Sequence, residues 1–221
     1  MRKEETRSKE ILRKAYLLSL MVILFLAAGT AYADSLLEAA ERGDAAAVSS
    51  FLNNGVDPDT RDQQYGMTAL MVSAAEGHKE VVTILLAAKA DVNLKDWNLG
   101  APVLMGAAEY GYTDIIELLI SHGADVNARD KRGFSALEQA ATKGYLETVK
   151  ILVANKANVN AQDSKYGANA LMGAAANGHK AIAEFLLSHG ADPGLKANNG
   201  FTASDFARQK GHYDILQLLN K

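Results

Sequence analysis

The side chains that could do chemistry in this chain are five histidines, many aspartates and a scattered set of aromatic and basic residues. Histidines beside carboxylates would suit acid–base catalysis or zinc ligation, and paired acids would suit hydrolysis. Their spacing argues against each. His78, His179 and His212 follow glycines, His122 and His189 precede glycines, and no pair stands at zinc-helix spacing. Asp91, Asp125 and Asp192 recur at matching places, as do Asp62, Asp96, Asp130 and Asp163. Aspartates in such register are expected to bond loop amides rather than to form a catalytic dyad. The chain has no cysteine, which removes disulfides, thiol catalysis, zinc-thiolate sites and iron–sulfur clusters. It has no phosphate-binding glycine loop and no Gly-x-Ser-x-Gly elbow. No catalytic residue, cofactor or metal is therefore expected.

The elements that would position these residues emerge from internal repetition. Leu36, Leu70, Leu104, Leu137, Leu171 and, in the last copy, Ser204 follow one another at steps of 34, 34, 33, 34 and 33 residues. Seven residues after each stands a glycine: Gly43, Gly77, Gly111, Gly144, Gly178 and Gly211. Three residues after each anchor stands alanine, replaced by Ser73 in one copy, so short helices can approach closely. Apolar pairs one helical turn apart follow, such as Val81-Val82 with Leu85-Leu86 and Ile115-Ile116 with Leu119-Ile120. Such a wide stripe suits a helix packed on both neighbouring copies. Each unit reads as a short helix, a glycine turn, a longer helix and a loop ending in a segment such as Gly123-Ala-Asp-Val-Asn127.

Thr68, Ser135, Asn169 and Thr202 stand two residues before the anchors, where an oxygen can cap a helix N-terminus. Pro102 takes that place in the third copy and would instead serve as a first-turn residue if its helix starts earlier. The shared glycines suit the left-handed position past a helix, but Lys89 and Lys156 replace the later glycine seen at Gly55, Gly123 and Gly190.

Gly66-Met-Thr-Ala-Leu70, Ala74-Ala-Glu-Gly-His78 and Gly123-Ala-Asp-Val-Asn127 closely resemble the ankyrin repeat. The resemblance covers residues 34–221 as six copies, at about 34–61, 62–95, 96–129, 130–162, 163–196 and 197–221. It implies an all-α repeat solenoid of helix pairs with projecting hairpin fingers, whose end copies act as caps. The last copy is suitably polar, with Asp205, Arg208, Gln209, Gln217 and Lys221. The family's histidine after the anchor leucine is absent. Met71, Met105 and Met172 take its place in inner copies, where core filling is expected, with Glu138 and Asp205 elsewhere.

In that family, finger tips and the outward residues of the first helices line a concave face that binds proteins. Carried over by position, the second copy offers Gln63, Gln64, Tyr65, Met67, Ala75 and Glu76. The third offers Trp97, Asn98, Leu99, Glu109 and Tyr110, and the fourth Lys131, Arg132, Phe134, Thr142 and Lys143. The fifth adds Ser164, Lys165, Tyr166 and Asn177, and the last Asn198, Asn199 and Phe201. Three fingers are one residue longer than the fourth, the addition being Tyr65, Leu99 or Tyr166 just before the glycine. Tyr65, Trp97, Tyr110, Phe134, Tyr166 and Phe201 are of the types that dominate interfaces. Their alternative role is to fold back over the finger backbone, an alternative that weighs most for Tyr65 and Tyr166. Lys131, Arg132, Lys143 and Lys165 form a basic cluster suited to an acidic partner but too small for nucleic acid.

The N-terminus reads as an export signal. Six basic residues lie within residues 2–14, residues 15–33 carry no charge, and Ala31-Tyr32-Ala33 suits signal peptidase, with cleavage after Ala33. The alternative is an uncleaved anchor, since nineteen uncharged residues could just span a bilayer. Without residues 1–33 the chain keeps 17 basic and 23 acidic side chains, a formal charge of −6. The expected protein is thus a non-enzymatic, monomeric periplasmic scaffold, free of the membrane after cleavage. It would bind an envelope protein, protecting an enzyme or neutralising a toxin. A secreted effector that binds host proteins, a small-ligand carrier or an enzyme are the alternatives.

Overall fold

A computed structural model describes residues 36–220 of the protein, so the expected signal segment and its cleavage site lie outside the described residues. Twelve helices run through the described part. They are α1 (36–41), α2 (Ala45–Asn53), α3 (Ala69–Glu76), α4 (Lys79–Ala87), α5 (Val103–Tyr110) and α6 (Thr113–Ser121). Then follow α7 (Ala136–Lys143), α8 (Leu146–Ala154), α9 (Ala170–Ala176), α10 (Lys180–Ser188), α11 (Ala203–Lys210) and α12 (Tyr213–Leu219). From α3 onward the odd-numbered helices pack on one another in series, the even-numbered ones from α2 form a second series, and each odd helix packs on the even helix that follows it. Among the described residues extended pairing is limited to the isolated bridges Arg61–Thr68, Lys95–Pro102 and Arg129–Ser135, which close the bases of three fingers.

Local chemistry accounts for the helix ends. The side-chain oxygens of Thr68, Ser135, Asn169 and Thr202 accept from the backbone N–H three residues on, and Asp205 completes a capping box with Thr202. Pro102 takes the place of the caps without capping, and its helix does not start earlier. It occupies the N-cap position itself, with α5 starting at Val103 and no side-chain cap, because its ring offers no acceptor. The even-numbered helices from α4 begin after His78, Tyr112, Tyr145, His179 and His212, none of which caps through its side chain. These rings lie instead against Gly43, Gly77, Gly111, Gly144 and Gly178 of the preceding repeat. A Cβ on any of those glycines would stand 2.5–2.7 Å from a ring atom. The glycines therefore serve twice, by adopting positive φ and by leaving room for the neighbour's ring.

The core is a column of anchor leucines. Leu36, Leu70, Leu104, Leu137 and Leu171 are at most 2% exposed, and each contributes about 2–3 kcal/mol by leaving water. Met71, Met105 and Met172 are buried beside them, as core filling requires. At the C-terminal end the column gives way to the half-buried Ser204, and Arg208, Gln209 and Gln217 face water.

Three residues fit poorly. Lys89 and Lys156 keep the left-handed backbone of the glycines they replace, with φ of 66° and 68°. The equivalent Gly55, Gly123 and Gly190 would meet nothing with an added Cβ, so the cost is backbone strain alone. Thr148 stands where α4, α6 and α10 bury Val81, Ile115 and Ile182, and its hydroxyl has no hydrogen-bond partner.

Relief of about 1–2 kcal/mol of left-handed strain exceeds the roughly 0.5–1 kcal/mol lost to the greater freedom of unfolded glycine. Lys89→Gly is therefore expected to raise Tm by about 1–4 °C, measured by calorimetry; a lower Tm would contradict this. Thr148→Val is expected to add about 1 kcal/mol in urea unfolding by removing the unpartnered hydroxyl.

Candidate functional site

The second to fifth fingers are each held closed by their aspartate. Asp62 Oδ1 accepts from the amides of Gln64 and Tyr65 at 2.7 and 2.6 Å, and Oδ2 from that of Met67 at 2.6 Å. Burial raises the Asp62 pKa, but the amide hydrogen bonds outweigh it and hold the carboxyl below its ordinary value. Asp96 and Asp163 close the third and fifth fingers in the same way. The fourth finger is one residue shorter. Asp130 Oδ1 takes the amides of Arg132 and Phe134, while Oδ2 meets the Arg132 guanidinium at 2.7 and 2.8 Å.

Neighbouring fingers are joined along their tips. The amides of Trp97, Lys131, Ser164 and Asn198 donate to the carbonyls of Tyr65, Leu99, Arg132 and Tyr166 at 2.8–3.0 Å. The acceptor is always the residue just before the finger glycine. The extra residue of the longer fingers fills that place, and Arg132 fills it in the short one. A second row runs along the finger bases. Arg61 Nη1 donates to Gly66 O and Lys95 O, Lys95 Nζ to Arg129 O, Arg129 Nη1 to Gly133 O and Gln162 O, and Gln162 Nε2 to Gly167 O and Lys196 O.

On this backbone the expected contact residues divide into groups. Tyr65, Trp97, Leu99, Tyr110 and Tyr166 are 39–54% exposed. Trp97 does two things at once. Its indole lies against Gly66 of the preceding finger with the Arg61 guanidinium 5.7 Å from the ring, and its outer half stays open to solvent. Tyr65 is held through its hydroxyl, which accepts from Gln64 Nε2 at 2.7 Å. Tyr110 stacks on Tyr112 with centroids 6.1 Å apart.

Phe134 is half-buried between the Arg132 guanidinium at 4.9 Å and the edge of Tyr166 at 6.2 Å, and the Lys165 ammonium lies 4.7 Å over Tyr166. The fourth and fifth fingers thus form one aromatic and cationic cluster. Phe201 stands apart, half-buried against Phe206 on α11, and Met67 packs on the core. Asn98 is exposed, and its carbonyl accepts from Lys131 Nζ at 3.0 Å. Lys143 pairs with Glu109 at 3.4 Å. The sequence reading missed Arg61. The donor at Arg61, Lys95, Arg129 and Gln162, one per copy just before each finger aspartate, was the signal for it.

The histidines serve the frame. His78 and His179 reach the carbonyls of Glu41 and Thr142 in the preceding repeat, and His122 and His189 bond carbonyls of their own helices. Among the described residues no group of three histidines or acids is placed to hold a metal ion, and no helix is long and apolar enough to cross a membrane.

A family model described as ankyrin repeats (3 copies) matches residues 36–130, 97–163 and 137–221, which together span the described structure. The chain belongs to the ankyrin-repeat family. It is similar to the human espin-like protein, 39% identical over 56 residues, and to a mouse ankyrin repeat and SAM domain-containing protein 6, 42% identical over 57 residues. These matches cover 25% and 26% of this chain but only 6% and 5% of those much longer proteins. Ankyrin repeats in general mediate protein–protein interaction and are typically non-enzymatic.

One ankyrin position in this chain places an ionisable group among apolar ones. Glu138 sits on α7 in the column otherwise filled by Met71, Met105 and Met172, only 5% exposed. Its carboxyl bonds that of Asp163, itself buried and already accepting three amides, with Asp130 nearby and Arg129 the opposing cation. Burial first, and then Asp163, push its pKa from 4.5 up to about 8. A carboxyl raised in this way is bound to its proton in the folded state at neutral pH. Its contribution to stability is full below about pH 4.5 and is lost as pH rises through about 8. Glu138→Gln removes that titration. The Tm of the variant relative to the native chain is expected to climb from about pH 5 to about pH 8 and then level off, whereas an offset independent of pH would contradict the buried-acid assignment.

Proposed function

We propose that this chain is a non-enzymatic, monomeric scaffold of the bacterial periplasm that binds an envelope protein through its finger tips and inner helices. The observation that carries this reading is the set of large apolar side chains left open on a backbone already bonded from finger to finger. Tyr65, Trp97, Leu99, Tyr110 and Tyr166 are exposed on that face, while the tip amides and carbonyls are joined across repeats. A partner meeting such a surface loses little of the chain's conformational freedom, so more of the contact energy is available for affinity. Aromatic anchors of this type dominate interface energetics. Periplasmic residence is supported by the basic start, uncharged stretch and Ala31-Tyr32-Ala33 at the N-terminus. The bound protein is one that the scaffold protects or neutralises.

Leu99 and Tyr110 are the side chains to remove, because neither covers a glycine of a neighbouring finger. The Leu99→Ala, Tyr110→Ala double variant is expected to keep the native Tm within about 2 °C while its affinity for the co-purifying envelope protein falls about tenfold or more. Equal retention by both proteins would place the binding surface elsewhere. The exported form should be recovered from the periplasmic fraction beginning at Asp34; recovery of the uncut chain in the membrane fraction would contradict that part of the reading.

A further inference from the structure

The fingers are basic within an acidic protein. The segments 61–68, 95–102, 129–135, 162–169 and 196–202 hold seven lysines and arginines against four aspartates, whereas the whole chain carries a formal charge of −3. Those four aspartates are turned to the fingers' own backbone, three of them buried and Asp62 half-buried. Asp96, Asp130 and Asp163 are at most 9% exposed, and all four accept from finger amides, Asp130 giving its second oxygen to the Arg132 guanidinium. The tips themselves, residues 63–65, 97–99, 131–132, 164–166 and 198–199, contain no acid at all.

The cations differ in how they are balanced. Arg132 is neutralised by Asp130 and Lys143 by Glu109. Lys131 is held only by the neutral carbonyls of Trp97 and Asn98, at 2.6 and 3.0 Å, and Lys165 lies on the Tyr166 ring. Neither makes an ion pair with a carboxylate of the described residues, and both are exposed on adjoining fingers. A hydrogen bond to a carbonyl fixes where a charge sits without cancelling it. The fourth and fifth fingers therefore present two immobilised positive charges beside the apolar ring surface of Tyr166, with Trp97 and Leu99 on the finger before.

We propose that the polypeptide bound by this face meets it with an acidic segment, in which carboxylates engage Lys131 and Lys165 and a neighbouring aromatic or aliphatic side chain packs on Tyr166 and Trp97. This rests on the protein-binding reading above and adds the chemistry of the partner. Single-stranded nucleic acid also uses basic and aromatic surfaces, but a polyanion longer than this short strip would run on over an otherwise acidic protein, so a locally acidic peptide fits better.

The test is selection without a known partner. Protein purified from cells expressing the full chain is panned against a displayed library of random dodecapeptides, beside the Lys165→Glu and Lys131→Gln, Lys165→Gln variants. The Lys165 ammonium contacts only a ring, so its replacement leaves the finger hydrogen bonds in place, and thermal melting verifies each variant. The expected result is peptides rich in Asp and Glu beside an aromatic residue. Their Kd should rise about tenfold or more with either variant and again with added salt, as charge pairing requires. Selected peptides without acidic bias, or acidic peptides indifferent to both variants, would overturn the proposed partner chemistry while leaving protein binding intact. Recovery of no binding peptide would overturn the protein-binding reading as well. Tighter binding of oligothymidylate than of the selected peptides would overturn the proposal in favour of nucleic acid.

Discussion

No repeat of this chain satisfies its own polar groups; each depends on the next. The amides of Asp91, Asp125, Asn158 and Asp192 donate to side-chain oxygens of Asp59, Asn93, Asn127 and Asn160 in the preceding loops. In return Asn93, Asn127 and Asn160 donate to the carbonyls of Gly123, Lys156 and Gly190. With the finger tips joined on one side and rings seated on glycines between the helices, the three inner boundaries between repeats are bonded at three levels, and the first and last boundaries at two. A lone helix pair would leave those groups to water and its leucines half exposed, so stability is a property of the stack.

That dependence also shapes the binding face. Fingers bonded to one another have little freedom to rearrange, so Tyr65, Trp97, Leu99 and Tyr166 are offered from a fixed frame rather than from mobile loops. The same bonds use up the finger aspartates and leave lysines at the surface. Internal satisfaction of the carboxylates thus produces the basic strip, and frame and recognition chemistry come from one set of interactions. The buried pair Glu138 and Asp163 joins α7 of the fourth repeat to the fifth finger. The state of the Glu138 proton therefore bears on the frame.

Much of this frame was legible in the residues because its causes are local. Thr68, Ser135, Asn169 and Thr202 were recognisable as caps from their position before the anchors, and the positive φ of Lys89 and Lys156 followed from the glycines of sister repeats. Pro102 was harder, since proline suits both the cap and the first turn, and only the start of α5 separates the two. What stayed hidden depends on contacts one repeat away. Arg61 beneath Trp97, the tip carbonyls that hold Lys131, and the pairing of Lys143 with Glu109 join residues about 34 apart. Glu138 was visible as an odd residue in a methionine column, but its proton is held by burial and then by Asp163 on the next repeat's finger. Asp59 is similar. It replaces the asparagine of the other loops, and burial raises its pKa despite the amide of Asp91.

The central claim is that the finger tips are part of the folded frame, and amide hydrogen exchange tests it most directly. The amides of Trp97, Lys131, Ser164 and Asn198 each donate across a repeat boundary. If the fingers are joined as described, these four should exchange slowly, with opening free energies close to those of core amides in α5 and α7. Exchange at the rate of open loops, while the helices stay protected, would show the fingers to be independent flaps and would contradict the account of a fixed face.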